Sequence, residues 1–331
     1  MKIEFDPGSL ASGYTTYSAI VKKRLFSGAD VDHILPYTSP NRSEENNGAF
    51  LENRKRVSLS GVQEKLSLVR NGKILRLSES GEQGSYILKP IPRDVRYASQ
   101  VPANEHLTMQ IAKQVYGIET AENALIFFKS GEPAYITLRF DIKQKGGKWR
   151  MEDFASVAGK ISGSGGADYK YDYNYESLAE LIRKFVPSWR AEIERFFKLV
   201  VFNYLISNGD AHLKNFSLLE TSDGDLKLSP AYDLLNTKIH VKDADFGLND
   251  GLFKDAFKST FFRNHGHVTG SDFIEFGRRI GIQEARIDKL LQPFRDQNPL
   301  VEQLINNSFL LSPQKKTYLL GYNRKRKLLN K

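Results

Sequence analysis

Asp210 and Asn215 stand five residues apart in the segment Asn208-Gly209-Asp210-Ala211-His212-Leu213-Lys214-Asn215-Phe216-Ser217-Leu218-Leu219. The pattern Asp-x-x-x-x-Asn is the spacing with which phosphoryl-transfer loops join two groups: a carboxylate that receives the substrate hydroxyl proton and an amide that binds magnesium. Such a site needs a second carboxylate to hold the metal against the phosphates. Asp233 is placed for it. Residues 216–220 and 226–229 read as a hairpin around Ser222-Asp223-Gly224-Asp225, and the chain then runs Pro230-Ala231-Tyr232-Asp233. A carboxylate and an amide oxygen are hard ligands suited to Mg²⁺.

Groups able to hold ATP precede this segment in the order that phosphoryl transfer to a hydroxyl uses. Ser58-Leu59-Ser60-Gly61-Val62-Gln63-Glu64-Lys65 leads into a strand pattern and has the place of a loop over the phosphates, though it is poor in glycine. Lys89 ends the strand Tyr86-Ile87-Leu88-Lys89 and is placed to contact phosphate. Glu105 lies sixteen residues on, near the start of a helix, where it can pair with Lys89. Read singly, each has a plainer meaning: a solvated strand-end lysine, or a first-turn glutamate that offsets the helix dipole. A literal Asp245-Phe246-Gly247 string lies twelve residues beyond Asp233 and follows no hairpin, so it reads as a loop and not as the metal site. His212 reads as a brace of the catalytic loop through a hydrogen bond. The His265-x-His267 pair lacks a third ligand in suitable context and reads as loop.

These groups need a scaffold to bring them together. Residues 1–50 read as irregular and polar, with a loop over 39–48. Alternating strands over 65–69 and 74–77 flank Asn71-Gly72, a hairpin signal, and a third strand ends at Pro90. Apolar spacing predicts a helix over 104–116, closed by Gly117, then strands over 124–128 and 134–140. Beyond the Gly-rich linker at 162–166, helices are expected over 175–185 and 191–207, the second apolar on most faces. Further helices are expected over 272–280, capped by Ser271, and from Pro313, capped by Ser312. The expectation is an α+β, bilobal, protein-kinase-like fold. A β-rich lobe over 1–142 carries the phosphate loop and ATP-contacting strands, and a helical lobe over 143–331 carries the catalytic loop and metal site.

Composition narrows the remaining classes. The chain is 40% hydrophobic and 26% charged, with no apolar run of membrane-span length and no signal-peptide core at Met1-Lys2-Ile3-Glu4-Phe5-Asp6. With no cysteine, disulfides, thiolate zinc sites and thiol catalysis are excluded, and a reducing cytoplasm is the natural compartment. The net charge of +9 favours polyanionic ligands or simple solubility. The one dense basic run, Arg324-Lys325-Arg326-Lys327, ends an expected helix, where cations also complement the dipole.

Taken together, the segment 58–65, Ile87-Leu88-Lys89-Pro90, Asn104-Glu105, Arg139-Phe140-Asp141, the run from Asp210 to Ser217 and Pro230-Ala231-Tyr232-Asp233 resemble motifs of the HipA family of bacterial toxin kinases, in family order, from about Val57 onward. The resemblance implies a serine/threonine protein kinase using ATP and Mg²⁺. It implies Asp210 as base, Asn215 and Asp233 as metal ligands, and Lys89, paired with Glu105, on ATP. It also implies nucleotide contacts from Ser60, Gly61, Val62, Gln63 and His212, with Arg139, Phe140 and Asp141 running past base and sugar. Only 57 residues precede Ser58, where full-length members carry a larger N-terminal subdomain, so the chain resembles the shorter HipT-like branch in which that subdomain is a separate small protein. The two serines suit that branch and imply autophosphorylation at Ser58 or Ser60. The implied partners are a helix-turn-helix antitoxin, the small separate protein, DNA only through the antitoxin, and an aminoacyl-tRNA synthetase as substrate. Two other readings stay open: an aminoglycoside- or choline-type small-molecule kinase, which shares the loop, and a DNA-bound co-repressor.

Overall fold

The computed structural model describes residues 3–39, 64–93, 95–143, 146–160 and 168–331. Ser58, Ser60, Gly61, Val62 and Gln63 lie outside the described residues, as does the Gly-rich stretch at 162–166. The N-terminal region, expected to be irregular, contains a helix, α1 (Ala19–Phe26). The Ser18 hydroxyl caps it by accepting the Val21 N–H. Only Val21, Leu25 and Phe26 turn inward, and so short and basic a segment carries too few apolar positions for a helical period to register.

Alternation then builds a sheet. β1 (Leu66–Asn71) and β2 (Ile74–Leu77) form the hairpin signalled by Asn71-Gly72, with Gly72 at φ 60°. β3 (Tyr86–Lys89) pairs with the other edge of β1. Helix α2 (Val101–Gln114) begins three residues before the expected start because Pro102 fits its first turn. Gly117, at φ 59°, turns the chain so that the Ile118 N–H reaches the Ala112 carbonyl at 3.0 Å. β4 (Asn123–Phe127) and β5 (Pro133–Leu138) complete an antiparallel sheet in the order β2-β1-β3-β5-β4. Side chains alternate between its faces. Ala124 and Ile126 join Leu25 and Phe26 of α1, whereas Leu125 and Phe127 join Leu107 and Ile111 of α2.

The rest of the chain is mainly helical. β6 (Met151–Asp153) leads into a single turn, α3 (Phe154–Val157), then α4 (Tyr175–Phe185) and α5 (Trp189–Leu205). β7 (Ser217–Glu220) and β8 (Leu226–Leu228) form the expected hairpin, and β7 pairs with β6 on its other edge. Helices α6 (Thr260–His265), α7 (Gly270–Arg279), α8 (Glu284–Arg295), α9 (Pro299–Asn307) and α10 (Ser312–Leu329) follow; α7, α8 and α10 pack on α5, and α9 packs on α2 and α10. Helix α5 is buried along most of its length, as its apolar faces require. Two expected caps differ. Thr269, not Ser271, caps α7, because Asp272 closes a reciprocal capping box with it, and Ser312 is the first helical residue of α10. His265 ends α6 and is not a loop residue. No described helix is long and apolar enough to cross a membrane.

Helix α2 buries residues on every side, polar ones included. His106 is fully buried and donates from Nε2 to the Gly8 carbonyl at 3.3 Å, tying the N-terminal segment to the helix. Burial pushes its pKa down to about 4. A depressed folded pKa stabilises the neutral form, so this contribution is complete above the ordinary histidine value and is lost as pH falls through about 4. His106 is therefore expected to stay neutral at pH 5, where exposed histidines are protonated. Imidazole-selective NMR titration, assigned with His106→Gln, checks this, and a midpoint near 6.5 would contradict it.

Candidate active site

Lys89 closes β3 opposite Tyr135, between two carboxylates. Its Nζ lies 2.6 Å from Glu105 Oε1 and 2.6 Å from Asp233 Oδ1. Glu105 sits in the second turn of α2 and is 1% exposed, so it is not the exposed first-turn residue that a dipole role requires. Burial works against the Lys89 ammonium, but the two carboxylates outweigh it and hold its pKa above the ordinary value. Burial pushes Glu105 up to about 7, with Lys89 opposing. Burial also opposes the Asp233 anion, yet Lys89 and Lys65 hold it well below the usual carboxylate range. The trio thus carries a lysinium and a firmly ionised Asp233.

Asp233 has φ 60°, a left-handed conformation that costs a non-glycine residue about 1–3 kcal/mol. Contacts on both carboxylate oxygens hold it there: Lys89 donates to Oδ1, and Asn215 Nδ2 donates to Oδ2 at 2.9 Å. The segment that follows is fixed to α2. Buried Asn104 donates to the Asn236 carbonyl at 2.8 Å and accepts the Asn236 N–H at 3.1 Å. The helix that places Glu105 therefore also anchors the strand exit that places Asp233.

The loop from 208 to 215 leaves the end of α5 under close steric control. The Gly209 N–H donates to Thr237 Oγ1 at 2.9 Å. A Cβ on Gly209 would lie 2.5 Å from Asp243 Cβ and 2.6 Å from the Ala244 carbonyl oxygen, so only glycine fits. Asp210 leaves this turn with its side chain 48% exposed, open to the cleft. Crowding by the surrounding protein raises its pKa above the ordinary value, and a hydrogen bond from Tyr171 opposes the rise. The Tyr171 hydroxyl donates to Asp210 Oδ1 at 2.7 Å.

His212 differs from expectation. Its ring does not brace the loop by hydrogen bonding: Nδ1 has no partner among the described residues, and Nε2 is 4.0 Å from Asp210 Oδ1. The loop is held by its backbone instead, with the His212 N–H on the Asp210 carbonyl and the Asn215 N–H on the His212 carbonyl. Burial, with Lys170 adding to it, pushes His212 down to about 3, so the imidazole is neutral and packs edge-on against Tyr171 at 5.1 Å.

A cavity of about 390 Å³ opens beside these groups, between the sheet and the helical part. Lys65, Lys89, Glu105 and Asp233 line one part of it, and Ile87, Phe140, Met151 and Tyr232 give it an apolar part. Phe140 packs against Tyr232 at 5.9 Å between ring centres. Arg139 and Asp141 also line the cavity but grip one another, with Nε–Oδ1 at 2.9 Å and Nη2–Oδ2 at 2.5 Å. The shape suits a ligand with an apolar ring system at one end and anionic groups at the other. The donor set fits a magnesium ion. Asn215 Oδ1 is buried without a partner among the described residues, beside the Asp233 carboxylate that its own amide nitrogen contacts.

The structure thus gathers Lys89, Glu105, Asp210, His212, Asn215, Asp233 and the segment 139–141 around one cleft. Tyr171, Met151 and the inward face of Tyr232 were not legible before the fold. Tyr171 stands in Tyr169-Lys170-Tyr171-Asp172-Tyr173, a run with no periodic or motif signal.

The Asp245-Phe246-Gly247 string braces the loop from behind. A Cβ on Gly247 would lie 2.4 Å from the Ala211 backbone nitrogen, and Phe246 stacks on Tyr204 at 5.6 Å. Asp245 accepts Lys238 at 2.5 Å and Lys325 at 2.6 Å. Lys325, from the basic run, is 5% exposed at its side chain, and burial lowers it to about 8. Removing one partner of a buried pair leaves the other charge uncompensated. Asp245→Ala is expected to destabilise the fold by about 3 kcal/mol without changing Mg·ATP affinity. Urea unfolding and calorimetry check the two halves, and a loss of nucleotide binding at unchanged stability would contradict it.

A five-stranded antiparallel sheet whose strand lysine pairs with a glutamate of one helix, set over a helical part whose Asp-x-x-x-x-Asn loop precedes a hairpin and an aspartate, is the bilobal architecture of protein-kinase-like folds. The chain belongs to the HipA-like C-terminal domain family, whose model matches residues 57–299. A Haemophilus influenzae protein named "Putative kinase" is 30% identical over 288 residues, covering 83% of this chain and 82% of its own length. The serine/threonine-protein kinase toxin HipA of Shewanella oneidensis is 27% identical over 203 residues, covering 57% of this chain and 45% of its own length. The HipA chain solved in the Shewanella oneidensis HipA, HipB and operator DNA complex shares the fold, with a TM-score of 0.59 at 22% identity, over 82% of this chain and 63% of that one.

Proposed function

We propose that this chain is an ATP- and Mg²⁺-dependent serine/threonine protein kinase, acting in the cytoplasm as the toxin of a toxin–antitoxin pair. The observation that supports this reading most directly is the junction of Lys89, Glu105, Asp233 and Asn215 beside a half-open Asp210. In this reading Lys89 contacts the ATP phosphates and Glu105 keeps it in place. Asn215 and Asp233 hold Mg²⁺, which when bound neutralises phosphate charge. Asp210 receives the proton of the substrate hydroxyl as it attacks the γ-phosphorus, and ADP leaves with the bonding electrons. Arg139, Phe140, Asp141 and His212, with Ser60, Gly61, Val62 and Gln63, complete the nucleotide site. The β-rich lobe over 1–142 and the helical lobe over 143–331 enclose it.

The acceptor in this reading is a protein, an aminoacyl-tRNA synthetase whose phosphorylation arrests translation. Ser58 or Ser60 is a second acceptor in cis: phosphate there adds about −1.5 to −2 charges near the triphosphate and lowers activity. The partners are a helix-turn-helix antitoxin, which alone contacts DNA, and a small separate protein equivalent to the N-terminal subdomain of longer members. The co-repressor reading loses part of its motive, since Lys325 of the basic run is turned inward.

Incubation with γ-labelled ATP, Mg²⁺, a cell lysate, choline and an aminoglycoside separates the acceptor classes. Label on protein serine or threonine is expected. Label confined to a small molecule would favour the small-molecule kinase reading instead. Expression in cells should slow growth through Asp210, and co-expression of the small partner should relieve it.

A further inference from the structure

Tyr171 engages one oxygen of the carboxylate that the proposed mechanism needs, and it does so from a segment built onto the catalytic loop. The Lys170 carbonyl accepts the Leu213 N–H at 3.1 Å. The Tyr171 carbonyl accepts the Asn249 N–H at 2.8 Å, and the Tyr173 carbonyl accepts the Asp250 N–H at 3.3 Å. The segment is thus laced to the loop on one side and to 249–250 on the other. From it the Tyr171 hydroxyl reaches Asp210 Oδ1 at 2.7 Å, while its ring lies edge-on to His212 at 5.1 Å. Lys170 folds back over the Tyr171 ring with Nζ 4.9 Å from its centre.

We infer that Tyr171 is a positioning residue for phosphoryl transfer, holding Asp210 by one carboxylate oxygen so that the other faces the acceptor hydroxyl. The inference deepens the proposed kinase reading and rests on it for its catalytic consequence. A carboxylate free to rotate presents either oxygen, and a base must hold one lone pair on the line of the hydroxyl proton. Oδ1 is occupied by the tyrosine, so Oδ2 is the oxygen left to the substrate. The neutral His212 ring limits where the tyrosine can swing and adds no competing charge. The arrangement also sets which protonation state Asp210 keeps. Lys170 and the Tyr171 hydrogen bond favour the anion, while Asp233, Asp243 and the crowding of the loop disfavour it, with His212 uncharged at 4.0 Å. Removing the hydroxyl removes a stabilising contact of the anion. The carboxylate then takes up its proton at higher pH, and the acidic limb of the rate profile moves upward with it.

The test is Tyr171→Phe, which keeps the ring and its edge contact with His212. Phosphate transfer to protein should fall by about tenfold in kcat, with Mg·ATP affinity unchanged within about twofold and thermal stability unchanged. The acidic limb of the kcat–pH profile should shift to higher pH. Independently of activity, carboxylate ¹³C NMR with aspartate labelling, the Asp210 signal assigned from Asp210→Asn, should show Asp210 titrating at higher pH in Tyr171→Phe than in wild type. An Asp210 titration that does not move overturns the inference, as does a kcat loss matched by an equal loss of Mg·ATP affinity. If the wild-type protein transfers no phosphate, the kinase reading fails, and the NMR arm still decides whether Tyr171 controls Asp210.

Discussion

Asp210→Asn is expected to lower phosphate transfer by about a thousandfold while Mg·ATP affinity stays within about twofold of wild type. The reason lies in what Asp210 touches. Among the described residues its carboxylate accepts a hydrogen bond from Tyr171 alone, with His212 Nε2 at 4.0 Å, and it is hydrogen-bonded to none of Lys89, Glu105 and the Asn215–Asp233 pair that would hold nucleotide. Asparagine keeps the shape but accepts a proton poorly and places a donor where the acceptor hydroxyl must donate. The turn before it should survive, because Gly209 and its Thr237 contact do not involve the Asp210 side chain. Steady-state kinetics gives the first quantity and calorimetry the second. A variant that transfers phosphate at the wild-type rate would remove Asp210 from the base role.

Asp233→Asn should fail in the opposite way, losing Mg·ATP binding by about a hundredfold or more. Asp233 is the acceptor shared by Lys89 and Asn215, and it is the charged member of the oxygen pair fitted to magnesium. Its left-handed φ of 60° is one that asparagine adopts readily, so the exchange should leave the backbone in place and report on charge. Without that charge the buried Lys89 ammonium retains, among the described residues, the Glu105 carboxylate, itself pushed toward protonation by burial. Calorimetry with and without Mg²⁺ should show that wild-type binding depends on the ion and that the variant's weak residual binding does not. Magnesium-dependent binding of wild-type strength in Asp233→Asn would place the metal elsewhere.

The parts of this site visible in the sequence are those set by local chain geometry. Asp210 and Asn215 share one loop, Asp233 follows a hairpin that Asp223-Gly224 announces, and Lys89 ends an alternating strand. Spacing can carry such information because few residues separate the cause from its effect. What remained hidden depends on packing across the chain. Tyr171 meets Asp210 across 39 residues, and no pattern in its own segment points toward a carboxylate. Lys325 reads as part of a dense basic run at a helix end, but α10 turns it toward Asp245 and the Tyr204 ring, 3.8 Å from the ring centre. Glu105 was legible as a partner for Lys89, yet its burial was not, because the helix start depends on Pro102 fitting the first turn. Helix α1 escaped notice since its inward face is only Val21, Leu25 and Phe26, and the sheet they pack on begins some forty residues later.

In the proposed function the cleft between the sheet and the helical part moves the γ-phosphate of ATP onto a protein hydroxyl through Asp210. The most direct measurement mixes purified protein with γ-labelled Mg·ATP and protein acceptors from a lysate, quenches in acid, and counts acid-stable label in the protein fraction for wild type and Asp210→Asn side by side. Time-dependent label on serine or threonine is expected with the wild type, and about a thousandth of that rate with the variant. Equal labelling by both proteins, or none by a wild type that calorimetry shows to bind Mg·ATP, would contradict it.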